Sequence, residues 1–118
     1  MVDSKPKVYR DFIDDLVRVC HLGQGQIGPD RARRGSWNPH ITATTAPDQH
    51  AMNLLLAKLS ASDRETIATF LAQEFEGGVF ETLKALEKFQ ITPFEEGYHG
   101  GPYHDFVGRV SGEWKWPE

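Results

Sequence analysis

The sequence predicts a mainly α protein, in which four helices form a bundle-like single domain. A long loop follows the first helix, and an irregular, aromatic-rich tail closes the chain. Apolar residues recur at helical spacing in four segments, at about residues 6–22, 47–58, 62–76 and 78–90. A chain of 118 residues has the length of one domain, and no segment of it is typical of a linker between two domains.

The first helix is predicted from about Pro6 to Leu22. Its apolar stripe consists of Val8, Phe12, Leu16 and Cys20, widened by Ile13 and Val17. Pro6 suits a first helical turn, and Gly23 is a typical stop signal. Because Cys20 lies on this stripe, we expect its thiol to be buried and inert.

The next connection, about residues 23–46, has no helical period and is rich in glycine and proline. Gly23, Gly25 and Gly28 match the G-x-G-x-x-G pattern of dinucleotide-binding proteins. That motif needs a strand before it and a helix after it, whereas here a helix precedes it. We therefore interpret the match as accidental and the segment as a long loop.

The second helix, 47–58, is predicted to begin with Pro47 in its first turn and a side-chain cap from Thr45 or a neighbour. Its expected core face consists of Met52, Leu55, Leu56 and Leu59, broadened by Leu54. The third helix is predicted to begin at Ser62, which forms an S-x-x-E capping box with Glu65. Gly77 and Gly78 are predicted to separate it from the fourth helix.

The tail, residues 92–118, is predicted to wrap irregularly across the bundle and to place its aromatic side chains in grooves between helices. Phe106, Trp114 and Trp116 are the expected anchors, and Val107–Val110 is a candidate short strand.

Charge and composition limit the classes of partner and compartment. The net charge of −4 disfavours nucleic-acid binding, and the one basic patch, Arg31, Arg33 and Arg34, is typical of a solvated loop. A single cysteine cannot form an intrachain disulfide. The longest aliphatic run, Leu54–Ala57, is too short to span a membrane, and the N-terminus lacks an apolar leader. We expect a cytoplasmic protein that binds neither membranes nor nucleic acids.

Histidines, tyrosines and glycines concentrate in "FEEGYHGGPYHDFVGR", residues 94–109. With the 37–40 loop, this segment supplies the candidate binding site: Trp37, His40, Tyr98, His99, Tyr103, His104, Asp105 and Arg109. The favoured hypothesis is a non-enzymatic binding module that uses these residues as an exposed face for an unknown protein or small-molecule partner. A homodimer is one form of it.

The alternative is a metal- or acid–base-assisted enzyme acting on a small anionic substrate at His40, His99, His104, Asp105 and Arg109. No histidine pair has metal-ligand spacing such as HExxH, so neither a metal nor a cofactor is assigned. A structural role for the same residues stays open as well, since glycines permit close backbone approach and histidines bond helix-end carbonyls.

Four strings in the chain are distinctive: "SWNPH", "GGVFETL", "PFEEGYHGGPYHDFVGRV" and "EWKWP". They resemble small bacterial proteins grouped as an uncharacterised family. The resemblance covers most of the chain from Trp37 onward and implies a small, stand-alone, cytosolic bacterial domain. It transfers no catalytic residue.

Overall fold

The structure, a computed structural model, describes residues 5–89, 102–113 and 115–116. Those ranges contain five α-helices and no strand. The helices are α1, Lys7–Leu22; α2, Ile27–Arg34; α3, Pro47–Lys58; α4, Ala61–Lys88; and α5, Pro102–Val110. The prediction of a mainly α fold is confirmed.

The chain forms two compact units, which we describe separately. The terminal unit comprises residues 1–22 and 76–118, and the central unit comprises residues 23–75. Of the helices, α1, α5 and the later part of α4 belong to the terminal unit, whereas α2, α3 and the earlier part of α4 belong to the central unit. The expectation of a single domain over 1–118 stays a prediction.

Helix α1 begins within one residue of the predicted start and ends where the sequence predicts. Ile13 and Cys20 of the predicted stripe are buried, but the buried side is rotated toward Tyr9 and away from Val8 and Phe12. Tyr9, Ile13 and Cys20 are fully buried, whereas Val8 is 71% exposed and Phe12 is 36% exposed. Each four-residue step advances about 40° beyond a full turn, so a strict i+4 series drifts around the helix. Alternating steps of four and three residues, as in 9, 13, 16 and 20, stay on one side, and that side faces the core.

Helix α2 lies within the segment predicted to be a loop, so this prediction is wrong for residues 27–34. The helix carries Asp30 in its first turn and three arginines in its last, a distribution that complements the helix dipole. Pro29 is tolerated because it sits in the first turn, where its missing N–H has no intrahelical acceptor. The local signals for a short helix were therefore present among the glycines.

Gly35 ends α2 in the left-handed conformation, with φ of +82°, and its N–H bonds the carbonyls of Arg31 and Ala32. The Arg64 side chain lies against it, since a Cβ built on Gly35 would be 3.2 Å from Arg64 Nη1. Arg64 Nη1 also donates to the Leu59 carbonyl at 3.2 Å. One guanidinium thus joins the ends of α2 and α3 to α4, and glycine is needed for this approach.

The core of the central unit consists of three buried side chains, Ala32, Leu56 and Ala68. Five partly buried residues pack against them: Trp37, Met52, Leu59, Ile67 and Leu71. Leu56 of α3 is thus the one large side chain of this buried cluster, beside Ala32 of α2 and Ala68 of α4. Leu55, predicted to lie on this face, is instead 47% exposed.

Both helix caps predicted for the central unit differ in detail. The N-cap of α3 is Ala46, which offers no side-chain bond, while Thr45 Oγ1 accepts instead from the Thr42 N–H at 2.9 Å. At α4 the capping residue is Ser60 rather than Ser62, because Ser60 Oγ accepts the Asp63 N–H at 3.0 Å. The capping signal was genuine but lies two residues earlier.

Helix α4 continues without interruption through Gly77 and Gly78, so the predicted break between two helices is wrong. Each glycine lowers helix stability by about 1 kcal/mol relative to alanine. This cost is distributed over a helix of 28 residues, whose remaining residues are mostly good helix formers.

Helix α5 replaces the predicted irregular tail over residues 102–110, including the candidate strand Val107–Val110. Pro102 stands at its start, Asp105 in its first turn and Arg109 in its last. Phe106 is buried, as predicted. The predictions for Trp114 and for the end of the fourth helix beyond residue 89 concern positions outside the described residues.

A pair of glycine substitutions tests these backbone assignments. We expect Gly35→Ala to destabilise the protein by about 1–2 kcal/mol, because an L-residue is strained at positive φ and the new Cβ displaces Arg64. Gly78→Ala meets no atom within 4 Å and should stabilise the protein by about 0.5–1 kcal/mol. Urea unfolding followed by circular dichroism measures both. A destabilising Gly78→Ala would contradict a continuous α4.

Candidate functional site

The structure describes six of the eight residues predicted to form the site. Helix α5 of the terminal unit carries Tyr103, His104, Asp105 and Arg109, and the α2–α3 connection of the central unit carries Trp37 and His40. Tyr98 and His99 lie outside the described residues. The convergence of His40, His99 and His104 that the enzyme hypothesis requires therefore stays a prediction.

Asp105 was predicted on an exposed face, but it is buried, with 8% of its surface accessible. The Tyr9 hydroxyl of α1 donates a hydrogen bond to Asp105 Oδ2. Lys5 Nζ lies 3.6 Å from the same oxygen. Because a buried carboxylate needs partners of this kind, the arrangement accounts for Asp105 as part of the packing between α1 and α5.

Arg109, the predicted ligand of an anionic substrate, holds a carboxylate of its own chain. Its Nε donates to Asp14 Oδ1 at 2.7 Å, and Trp116 Nε1 donates to Asp14 Oδ2 at 2.9 Å. The guanidinium also lies over the Trp116 ring, 5.5 Å from its centroid. Asp14 thereby fixes both α5 and the segment that follows it.

The remaining α5 candidates form an aromatic stack. The Tyr103 and His104 rings lie 4.1 Å apart at 32°, and Tyr103 meets Phe80 of α4 edge-on at 5.6 Å. His104 is exposed, whereas Tyr103 is half-buried. His104 is therefore the candidate on this helix that solvent or a ligand reaches directly.

In the central unit, Trp37 is half-buried and packs against the buried core cluster. The Arg31 guanidinium lies 5.5 Å from its ring centroid, and Asn53 Oδ1 accepts the Trp37 backbone N–H at 2.6 Å. His40 is exposed, and its backbone N–H bonds the Asn38 side chain. Trp37 thus fixes the connection, while His40 presents its ring to solvent.

The metal-ligating residues and the one cysteine in the described part of the chain bear on the enzyme hypothesis. No group of three or more His, Cys, Asp or Glu among the described residues is placed to hold a metal ion. Cys20 is buried, as predicted, and burial, with a smaller contribution from the negative charge of Glu76, raises the pKa of its thiol to about 11. Its thiol is therefore protonated at neutral pH and is a poor nucleophile.

An open cavity of about 620 Å³ lies beside α1. Its described lining is Val8, Asp11, Phe12, Asp14, Asp15 and Arg18. Each of the three carboxylates already has a cationic partner: Lys7 for Asp11, Arg109 for Asp14, and Arg18 for Asp15. The apolar part of the described lining is Val8 and Phe12. None of the three carboxylates lacks a cationic partner, so none of them is available to bind a cationic ligand.

A second surface, unforeseen as a site, lies on α3. Ala51, Leu54, Leu55 and Lys58 follow i, i+3, i+4 and i+7 spacing and share one side of the helix, which we name the α3 outer face. It lies about 150° around the helix axis from Leu56, the buried residue of α3. Leu54 is 53% and Leu55 is 47% exposed. Helix α3 is consequently apolar on two sides, of which the core uses one.

Sequence reasoning missed the polar roles of Lys5 and Tyr9 around Asp105, and that of Asp14 as the acceptor for Arg109 and Trp116. The i, i+4 relation of Tyr9 to Ile13 is the signal that would have placed Tyr9 on the buried side. Nothing local indicates its bond to Asp105, which lies 96 residues away in sequence. For the α3 outer face, three consecutive leucines at 54–56 were the available signal.

We expect Asp105→Ala to destabilise the protein by about 1–3 kcal/mol, because it removes the acceptor of the buried Tyr9 hydroxyl and the ionic partner of Lys5. Asp11→Ala is the matched control, since it breaks an exposed pair with Lys7 worth about 0–0.5 kcal/mol. Urea unfolding compares the two. Equal effects would contradict a packing role for Asp105.

Cys20 should react slowly with Ellman's reagent in the folded protein at pH 8. A pKa raised from 9.0 to about 11 lowers the thiolate fraction by about a hundredfold, and burial blocks the reagent. The raised pKa contributes stability below pH 9 that is lost as the pH rises through 11. Reaction in guanidinium chloride gives the unfolded rate, and a folded rate as fast as this would show the assignment to be wrong.

Comparison with known proteins places the chain in a group but assigns no activity to it. The model of a family of unknown function, DUF6547, matches residues 2–118. No curated protein and no solved structure matches the chain. The resemblance to an uncharacterised family is thereby confirmed. Within the described residues, no helix has the length and apolar character needed to cross a membrane.

Proposed function

We propose that this chain, which belongs to the DUF6547 family of unknown function, is a non-enzymatic interaction module that binds a protein surface through the α3 outer face. The observation that carries the proposal is the exposure of Leu54 and Leu55 on the side of α3 away from its core. Adjacent apolar side chains on one helix face are a recurring mode of protein recognition.

The surroundings of these leucines distinguish them from Phe70, another exposed apolar residue of the central unit. Phe70 of α4 is 61% exposed, and three of its four neighbours at ±3 and ±4 are polar: Thr66, Gln73 and Glu74. The fourth, Ile67, is partly buried and packs against the core. Single exposed apolar residues of this kind are common on protein surfaces and need no explanation. Leu54 and Leu55 adjoin each other and Ala51, so they form a continuous apolar stripe.

The partners of the predicted catalytic residues also favour a non-enzymatic role. Besides a histidine, the enzyme hypothesis needs the Asp105 carboxylate for acid–base chemistry and the Arg109 guanidinium for an anionic substrate, and both must reach that substrate. Asp105 is bonded to Tyr9 and Lys5, and Arg109 is bonded to Asp14. These contacts give both residues a sufficient structural purpose.

The face first predicted from the sequence, the 37–40 loop with residues 98–109, keeps two exposed members in His40 and His104. We propose the α3 outer face ahead of it, because Trp37, Asp105 and Arg109 are engaged within their own units. Exposed apolar side chains that a partner can remove from water are available on α3 instead, in Leu54 and Leu55.

Photo-crosslinking from position 54 tests the proposal. With benzoylphenylalanine in place of Leu54, we expect an adduct of discrete mass in the expressing cells, because the proposed contact brings a partner against this side chain. Leu55→Lys in the same chain should abolish the adduct, because a charge on the stripe opposes apolar contact.

Two controls make the test decisive. Benzoylphenylalanine at Glu74, an exposed position on α4 of the same unit, should give no such adduct. Leu55→Lys alone should leave the thermal unfolding midpoint close to that of the unsubstituted protein, since the outer face lies away from the core. Equal adducts from positions 54 and 74, or none from either, would show that the α3 outer face is not an interaction surface.

A further inference from the structure

We infer that the partner of the α3 outer face is a second copy of this chain, bound with the two α3 helices antiparallel. The inference rests on the proposed function and specifies the occupant of its surface. The support for this inference is the complementarity of charge and size along α3. In one antiparallel register, each residue of the outer face lies opposite a residue of suitable size or of opposite charge.

In an isologous dimer, residue i of one chain contacts residue j of the other, and j contacts i. Consider a twofold axis at the level of residue 53, midway along the sequence between Asp48 and Lys58. Asp48 then lies opposite Lys58 of the second copy, and Ala51 lies opposite its Leu55. The Leu54 side chains of the two copies meet next to the axis.

The apolar part of this register alternates large and small side chains. Each Leu55 projects toward the space above an Ala51, which is how facing helices fill the gap between them. Each interacting pair occurs twice by symmetry, so four leucines are removed from water. At full burial each leucine side chain contributes about 1.5–3 kcal/mol relative to the exposed state, and here about half of that remains to be gained.

The charged part selects the antiparallel orientation. Asp48 and Lys58 are both exposed, and no described residue forms an ion pair with either. The antiparallel register makes two Asp48–Lys58 pairs across the interface. A parallel register would place Asp48 against Asp48 and Lys58 against Lys58, and like charges across an interface oppose association.

The size of the contact predicts a reversible dimer. Helix α3 has 12 residues and is therefore about 18 Å long. One helix pair of this length buries less than the area of about 1,200 Å² typical of stable interfaces. We therefore expect a monomer–dimer equilibrium that shifts with protein concentration, in place of a permanent dimer.

Sedimentation equilibrium of the purified full chain tests the inference. We expect the average mass to rise from monomer toward dimer as the protein concentration increases. Protein concentrations up to about 1 mM detect a dimer with a dissociation constant as high as about 1 mM. Leu55→Lys should abolish this rise, whereas Phe70→Lys, which alters an exposed apolar residue elsewhere in the central unit, should leave it intact. A monomer throughout, or equal loss with Phe70→Lys, would overturn the inference.

A charge exchange tests the register. Because Asp48 lies in the first turn of α3 and Lys58 in its last, circular dichroism of each variant must show that the helix is retained. Asp48→Lys should weaken the dimer by about tenfold or more, because two attractive pairs become two repulsive ones. Adding Lys58→Asp to the same chain should restore the dimer, since the opposite charges face each other again. Glu74→Lys changes the net charge by the same amount and should have little effect. Failure of the double exchange to restore association would exclude this register.

The outcomes separate this inference from the proposed function. A discrete adduct from position 54 to a different protein, with a monomeric purified chain, would keep the interaction module and exclude the homodimer. An adduct of twice the chain mass, with concentration-dependent dimerisation, supports both. No adduct and no dimer would contradict both.

Discussion

The burial of the Asp105 carboxylate is the constraint on which the terminal unit depends. A carboxylate that leaves water must find donors or a cation, and α5 finds both on the N-terminal part of the chain, in Tyr9 and Lys5. This requirement fixes α5 in rotation and in position along α1. Phe106, next to Asp105, is then buried by the same placement. Asp14 adds a second attachment of α5 to α1, because its carboxylate accepts hydrogen bonds from Arg109 and Trp116.

The same constraint explains why residues typical of an active site have a different use here. Histidine, tyrosine, aspartate and arginine are favoured in catalysis because they bond strongly and directionally. These properties serve equally well to fasten one helix to another across a large sequence separation. In α5 the residues that face α1 are fastened in this way, whereas His104 faces solvent. The type of a residue indicates how strong a contact it can form. Its position in the fold decides whether it contacts a ligand or another part of the same chain.

The central unit follows a different principle, because its core is built from small side chains. Two of its three buried members are alanines, Ala32 and Ala68, and the third is Leu56. Partly buried residues packed around these three supply the rest of the apolar volume. Arg64 and Gly35 join the helix ends beside this core. A core this small leaves no room for three consecutive leucines, and Leu54 and Leu55 stay at the surface. The proposed interaction surface is thus a consequence of how little apolar volume the unit can bury.

The sequence by itself determined the helical class, the bounds of α1 and α3, and the burial of Cys20 and Phe106, because these depend on local periodicity and on end signals such as Pro47. It predicted α2 and α5 as irregular, since glycine and proline in short segments outweigh the charge pattern that marks a helix. Only the tertiary structure decided that Tyr9, rather than Val8 and Phe12, completes the buried side of α1. It also decided that Asp105 meets Tyr9. A helix has several nearly equivalent faces, and the choice among them belongs to partners far away in sequence. The sequence therefore identified residues that can form strong polar contacts. The packing of α5 on α1 decided which of them, such as Asp105 and Arg109, bond to other side chains of the same chain.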